Sequence, residues 1–251
     1  MTAICRKHCS AIAPRAFPLV AGAVLLVAVS CAGGQDLSAV PAFKQTDSME
    51  ARVQGCVTCH GQQGQGTRNG YFPRIAGKPA GYLYNQLAAF KNGTRTYAPM
   101  NYLVAYLPDA YLREMAQYFA ALRPAFSAPA PSPSAPEVLL ARGQALATQG
   151  DTGRGVPACV ACHGKGLTGM EPGIPGLAGL SETYLVSQLT RWRVGERHAA
   201  APDCMKRVAT RMADTDITAV AAWLARQQVP AEAAPEPSNL IRMPLACGSQ
   251  R

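Results

Sequence analysis

Apolar residues recur at helical spacing in several segments of this 251-residue chain. The segment 82–91 places three large apolar side chains on one helical face, and Gly93 follows where a helix would end. One apolar stripe occurs twice: Leu112, Met115, Ala116 and Phe119, then Ile217, Val220, Ala221 and Leu224. Residues 136–149 also have helical spacing, and no segment alternates convincingly as a strand does. The pattern predicts an all-α fold, with three to five short helices in each half of the chain.

The two halves of the chain are copies of one unit. The heptapeptide Gly-Cys-Val-Thr-Cys-His-Gly at 55–61 matches Ala-Cys-Val-Ala-Cys-His-Gly at 158–164. Segment 82–95 matches segment 184–197, and six of the fourteen aligned positions are identical. A single repeat at an offset of about 100 residues indicates a duplicated domain rather than a solenoid.

A proline-rich segment separates the copies. Residues 124–136 contain five prolines among alanine and serine, a composition typical of a semi-rigid extended linker. The predicted organisation is a first domain over 47–123, this linker, and a second domain over 137–228. A flexible segment at 31–46 precedes the first domain, and a tail at 229–251 follows the second.

The first thirty residues have the pattern of an export signal. A positively charged start is followed by thirteen apolar residues, 17–29, which is the length of a signal core and short for a membrane span. Small residues precede Cys31, where we expect cleavage. Two alternatives remain open: lipidation of Cys31, and an uncleaved anchor that associates the protein with the membrane. Each of the three delivers the rest of the chain to the periplasm.

Composition and charge narrow the function further. The chain is 48% hydrophobic and 16% charged, which excludes a disordered, highly charged protein. The formal net charge is +9, and removing Arg6, Lys7 and Arg15 with the signal leaves +6. A moderately basic exported protein favours acidic protein partners or a membrane surface. No basic helix or stacking motif indicates a nucleic-acid partner.

The chemistry of the chain is carried by Cys-x-x-Cys-His, which occurs once in each repeat. Two thiols at this spacing can add to the vinyl groups of a haem, and the adjacent histidine then ligates the iron. The expected attachment residues and iron ligands are Cys56, Cys59 and His60 in the first repeat and Cys159, Cys162 and His163 in the second. A zinc site would need further Cys or His ligands, which the first repeat lacks. A redox dithiol needs no trailing histidine. The sequence therefore predicts two covalently bound haem c groups.

The second axial ligand can be sought by aligning the methionines of the two repeats. Met100 and Met205 lie 40 and 42 residues after their histidines, at matched positions. Met115 aligns with Val220 of the second apolar stripe, and Met212 aligns with the apolar Leu107, so both are expected in the core. Met170 lies too close to its histidine to cross the haem. We expect Met100 and Met205 to ligate the irons, and the alternative is an iron that is open or otherwise ligated. Thioether ligation raises the reduction potential.

Further residues have predicted supporting roles. The carbonyls of Pro73 and Pro175 are placed to accept the Nδ1 proton of each histidine and fix the orientation of its ring. Cys204 and Cys247 remain after the signal and haem cysteines are assigned, and we expect a disulfide that pins the tail. The alternative is that Cys204, beside Met205, ligates iron as a thiolate.

These motifs resemble those of the dihaem class I cytochromes c of the cytochrome c4 type. The resemblance covers roughly residues 47–228 and includes both haem motifs with their methionines, the Pro-x-x-x-Gly elements, and the Tyr-Leu-x-x-Gln-Leu helix followed by Gly-x-Arg. It implies two tandem cytochrome c domains of short helices and long loops around covalently bound haem. It also implies a periplasmic carrier that moves electrons from a dehydrogenase or cytochrome complex to an oxidase or other acceptor.

Two other functions remain possible from the sequence. One is an enzyme, a dihaem oxidoreductase of sulfur compounds such as a thiosulfate dehydrogenase, with Cys204 as a ligand. The other is a cytochrome subunit bound tightly to a dehydrogenase. Arg95, Arg197, Arg191 and Arg193 are expected either to pair with haem propionates or to form a solvated basic surface. The favoured prediction is an electron carrier with no substrate chemistry of its own.

Overall fold

The computed structural model describes residues 47–126, 134–229, 233–238 and 242–250, which all belong to one compact unit. The expected signal peptide at 1–30, the segment 31–46 with Cys31, and linker residues 127–133 lie outside these ranges. Within the described ranges, every helix is too short or too polar to cross a membrane.

The first repeat contains five helices. They are α1 (Met49–Arg52), α2 (Gln54–His60), α3 (Ala80–Lys91), α4 (Ala98–Val104) and α5 (Asp109–Ala121). The hydroxyl of Ser48 accepts a hydrogen bond from the backbone N–H of Ala51 and so caps α1. α3 ends just before Gly93, whose φ of 78° is a left-handed conformation that glycine adopts without strain.

The second repeat also contains five helices, together with one short hairpin. The helices are α6 (Glu137–Thr148), α7 (Val160–His163), α8 (Glu182–Val194), α9 (Cys204–Ala209) and α10 (Asp214–Leu224). Strands β1 (Gly169–Met170) and β2 (Ile174–Pro175) pair antiparallel, which the sequence pattern does not predict. Two-residue strands are too short to show alternation, and both strands of this hairpin are largely buried.

Each repeat has its own apolar core. In the first repeat α3 packs against α5, and in the second α10 packs against α6 and α8. All eight side chains of the two predicted stripes, including Met115, are buried, and so is Met212. The helical, two-domain prediction is confirmed. The stripe side chains enter the core together because residues three and four apart lie on one face of a helix.

Two sets of contacts join α6 and α10, the first and last helices of the second repeat. α6 crosses α10 so closely that a Cβ on Gly143 would lie 2.1 Å from the carbonyl oxygen of Ala219. At the start of α10, the buried carboxylate of Asp216 accepts from Arg142 at 2.9 Å and from Arg154 at 2.5 Å. These guanidinium groups lower the pKa of Asp216 despite its burial, which acts in the opposite direction. Both contacts hold the first and last helices of the repeat together.

The C-terminal tail is packed on the second repeat. The backbone of Glu236 exchanges hydrogen bonds with Gly169 and Glu171 on the β1 side of the hairpin, at 2.8 and 2.9 Å. Farther along, Cys247 forms a disulfide with Cys204, the first residue of α9. Cys247 is buried with Met170 and Ile174. The tail therefore covers the hairpin and is linked covalently to α9.

Candidate haem sites

Both histidines of the repeated motif are buried, and each ring is held in the same way. The Nδ1 of His60 donates a hydrogen bond to the carbonyl oxygen of Pro73 at 2.9 Å. The Nδ1 of His163 donates to that of Pro175 at 2.7 Å. Because a carbonyl can only accept, the proton must be on Nδ1, which leaves the Nε2 lone pair available to a metal. Burial lowers the pKa of His163 to about 4 and keeps its ring neutral.

The four cysteines of the motifs are half-buried free thiols at the helices that end in these histidines. Cys56 and Cys59 lie on α2, with Cys56 one helical turn before His60 and Cys59 immediately before it. Cys159 precedes α7 and Cys162 lies within it. Burial raises the pKa of Cys159 to about 12. Each repeat therefore presents two unpaired thiols and one metal-competent nitrogen on a single helical turn, which is the donor set for covalent attachment of one haem.

The aligned methionines occupy matched helices. Met100 is half-buried on α4 and packs against the core of the first repeat. Met205 is half-buried on α9, next to the disulfide-bonded Cys204. Cys204 therefore presents no free thiolate to a metal in this structure.

A buried polar network joins the two repeats. The Nη1 of Arg95 donates to Gln86 at 2.8 Å, and its Nη2 donates to Gln188 at 2.9 Å. Arg197 repeats this pattern in reverse, through Nη1 to Gln188 and Nη2 to Gln86, each at 2.7 Å. Arg95 also donates to the hydroxyl of Tyr184 at 3.0 Å, and the two arginines form an antiparallel backbone bridge.

This network carries two buried positive charges without a carboxylate. Arg95 and Arg197 are 9% and 2% exposed, and neither forms an ion pair within the described ranges. Burial and the neighbouring Arg95 lower the pKa of Arg197 to about 10. Burial of charge without a counter-ion is unfavourable, so an anion would stabilise these side chains, and the described residues supply none. The propionate groups of a haem would be suitable anions.

A second unsatisfied group lies beside Arg197. The indole Nε1 of Trp192 is buried and has no hydrogen-bond partner among the described residues, and the Arg197 guanidinium stacks on its ring at 3.6 Å. Buried indole N–H groups normally have an acceptor. The thiols, the free Nε2 atoms and the buried arginines together fit a haem in each repeat, and the second repeat adds this N–H group.

Sequence reasoning missed most of the network. Gln86, Gln188 and Tyr184 were identical positions of the repeat, but identity alone did not distinguish a contact between repeats from a common fold. Of the four arginines considered, Arg95 and Arg197 are buried. Arg191 and Arg193 are half-buried: Arg191 donates to the carbonyl oxygen of Thr96 in the first repeat at 2.7 Å, and Arg193 pairs with Asp214.

Comparison with known proteins supports the same family. The family description "Cytochrome c" matches residues 50–119 and 140–228, one match in each repeat. A protein from Thiomonas intermedia (strain K12), named thiosulfate dehydrogenase electron acceptor, is 39% identical over 172 residues. The matched region covers 68% of this chain and 78% of that protein.

Two solved structures have a similar fold. Reduced recombinant cytochrome c4 from Pseudomonas stutzeri aligns with a TM-score of 0.61 and 29% identity, over 71% of this chain and 96% of that one. Thiosulfate dehydrogenase (TsdBA) from Marichromatium purpuratum aligns with a TM-score of 0.62 and 35% identity, over 69% of this chain but only 36% of that one. The repeated motif, the paired folds and these matches lead to one conclusion: the chain belongs to the cytochrome c family, as a dihaem electron carrier of the cytochrome c4 type with covalently bound haem c.

Proposed function

We propose that this protein is a periplasmic electron acceptor for thiosulfate dehydrogenase, and that it passes the electrons to a terminal acceptor. The observation that carries the proposal is the matched geometry of the two histidines, each buried with Nδ1 donating to a proline carbonyl. Two sites built alike suit electron carriage, in which neither iron needs an open position. The dehydrogenase is named as donor because a 39% identical relative bears the name of its electron acceptor.

The side chains of each repeat have defined roles in this proposal. Cys56 and Cys59 attach the first haem, and His60 and Met100 ligate its iron. In the second repeat these roles fall to four residues: Cys159, Cys162, His163 and Met205. When bound, the haem supplies a one-electron couple between ferric and ferrous iron. The carbonyls of Pro73 and Pro175 hold each imidazole in one orientation, which limits the rearrangement that accompanies electron transfer.

Arg95 and Arg197 would neutralise the propionates at the contact between the repeats. Their guanidinium groups are already oriented by two shared glutamines, so little side-chain entropy is lost when an anion binds. Because each glutamine accepts from both arginines, the network ties the orientation of one repeat to that of the other. This arrangement supports a fixed relation between the two haem sites.

A carrier is favoured over a thiosulfate dehydrogenase enzyme by the state of Cys204. The enzymatic alternative uses Cys204 as an iron ligand, whereas its sulfur is bonded to Cys247. The proposed function is tested by mixing oxidised holoprotein with purified thiosulfate dehydrogenase and thiosulfate, and following haem reduction by absorbance. We expect reduction of both haems only when the dehydrogenase is present. Oxidation of thiosulfate by this protein alone, with ferricyanide as acceptor, would establish the enzyme instead.

The ligand set has its own test. Carbon monoxide should leave the spectrum of the reduced protein unchanged, because both irons have two protein ligands. Met100→Ala and Met205→Ala should each open one site to the gas, with the histidine retained. Met115→Ala is the matched control, since Met115 is a core residue of α5. A carbon monoxide response in the unaltered protein, or none in either variant, would exclude this ligand set.

Export and docking complete the proposal. The signal-like residues 1–30 would direct the chain to the periplasm, and the mass of the mature protein would distinguish cleavage from lipidation at Cys31. Lys206 and Arg207 are exposed on α9 immediately after Met205. Such charges would attract acidic partners and make association sensitive to salt.

A further inference from the structure

Lys78 belongs to the first repeat, but its ammonium group contacts the second. The Nζ atom donates a hydrogen bond to the carbonyl oxygen of Gly176 at 2.9 Å. The preceding residue is Pro175, whose carbonyl accepts from the Nδ1 of His163 at 2.7 Å. One repeat therefore places a cation on the turn that orients the histidine of the other.

The charge of Lys78 is not neutralised by the described residues. None of the ion pairs in these ranges includes it. Loss of hydration lowers the pKa of Lys78 to about 8, with a further lowering from the nearby Arg74 and an opposing effect from Tyr184. The group is thus mainly protonated at neutral pH.

Among the described residues, the first histidine has no equivalent contact. In the repeat alignment Lys78 corresponds to Leu180, an apolar residue, so the second repeat returns no ammonium group to the first. The residue after Pro73 is Arg74, but its guanidinium donates to the backbone of Ala76 and to the carbonyl oxygens of linker residues 124 and 125. The Lys78 contact is therefore one of the features in which the two sites differ, together with the hairpin and the disulfide-linked tail of the second repeat.

A positive charge near a redox centre favours the reduced form, which carries one positive charge fewer. The effect is stronger where hydration is reduced, as at the half-buried Lys78, because the effective dielectric constant is lower there than in water. Second-sphere groups and burial are established means by which proteins set haem potentials. We propose that Lys78 is a positioning residue of the first repeat that raises the reduction potential of the haem bound through His163. The inference rests on the ligand set proposed above but does not depend on the identity of the electron donor.

The test compares three variants of the holoprotein by redox titration followed by absorbance, with the two haems assigned by NMR of their methyl groups. Lys78→Met removes the charge and keeps much of the side-chain volume, whereas Lys78→Arg keeps the charge. Lys91→Met is the matched control, because the Nζ of Lys91 donates to the carbonyl oxygen of Leu107 within its own repeat, at 2.7 Å.

We expect Lys78→Met to lower the midpoint potential of the second haem by more than that of the first. Lys78→Arg should keep the potential of the second haem close to its original value, because the charge is retained. Lys91→Met should leave both potentials close to those of the unaltered protein. Equal potentials in Lys78→Met and the unaltered protein, or a shift confined to the first haem, would overturn the proposal. Circular dichroism of each variant identifies a shift caused by unfolding. No dehydrogenase is present, so a wrong donor assignment would leave this result unchanged.

Discussion

Removing the disulfide between Cys204 and Cys247 should destabilise the second repeat substantially. The two residues are 43 positions apart, and the chain-entropy relation for a closed loop of that length gives about 4 kcal/mol. Hydrogen bonds of the tail do not replace the link, because they remain available only while the tail is in place. One such bond joins the N–H of Gly248 to the carbonyl oxygen of Pro202 at 3.0 Å.

The measurement is urea unfolding of the ferric holoprotein, followed by circular dichroism and by the haem absorbance. The double variant Cys204→Ser/Cys247→Ser is compared with the unaltered protein, because a single substitution would leave a free thiol beside Met205. Replacement of Ser249 by alanine is the control, since it alters the tail and keeps the link. A loss below about 1 kcal/mol in the double variant would refute the argument, because it would mean that the unfolded chain gains little freedom when the link is removed.

Three further predictions concern other contacts. Asp216→Asn removes a buried carboxylate from two guanidinium groups and should cost about 1–3 kcal/mol at pH 7. Because the folded pKa of Asp216 is lowered, its contribution to stability is present above its unfolded pKa and is lost as the pH falls through the folded value. Thermal unfolding of the variant and the unaltered protein should therefore show a smaller difference at pH 3 than at pH 7. Gly143→Ala should destabilise the protein by about 1–3 kcal/mol or more in thermal unfolding, since its Cβ would meet the backbone of Ala219; unchanged stability would mean that α6 and α10 separate freely. Arg207→Gln should slow oxidation of the reduced protein by the anion ferricyanide at low but not at high ionic strength. The control is Tyr102→Gln, at the matched exposed position of α4, which should leave the rate unchanged. Equal rates for both variants at low ionic strength would contradict a role for the α9 charges.

The sequence was sufficient for the features that are local or repeated. The two Cys-x-x-Cys-His motifs are contiguous, so they are readable without a fold. The apolar stripes could be assigned because a helix brings residues three and four apart to one face. The duplication added an internal comparison, which separated the core residues Met115 and Met212 from Met100 and Met205.

The remaining features depend on contacts between distant parts of the chain. Lys78 and Gly176 are 98 residues apart, and their neighbours give no sign of the contact. The β1–β2 hairpin is paired with the tail at Glu236, so its extended conformation depends on a segment more than 60 residues away. Gly143 lies at helical spacing from the apolar residues of segment 136–149, but only the crossing of α6 with α10 shows why a side chain is excluded there.

The reciprocal bonding of Arg95 and Arg197 has the form of a twofold axis between the repeats, since each arginine uses the same pair of glutamines in opposite order. A surface of this kind is self-complementary, so a single repeat produced alone would be able to pair with a second copy of itself through the same face. Fusion in one chain replaces that encounter with an effective concentration on the order of millimolar, so a contact too weak to hold two separate molecules together suffices. Within one chain the pairing no longer has to be symmetric, so each half can have features that the other lacks. The disulfide-linked tail of the second repeat and the Lys78 contact from the first are two such features.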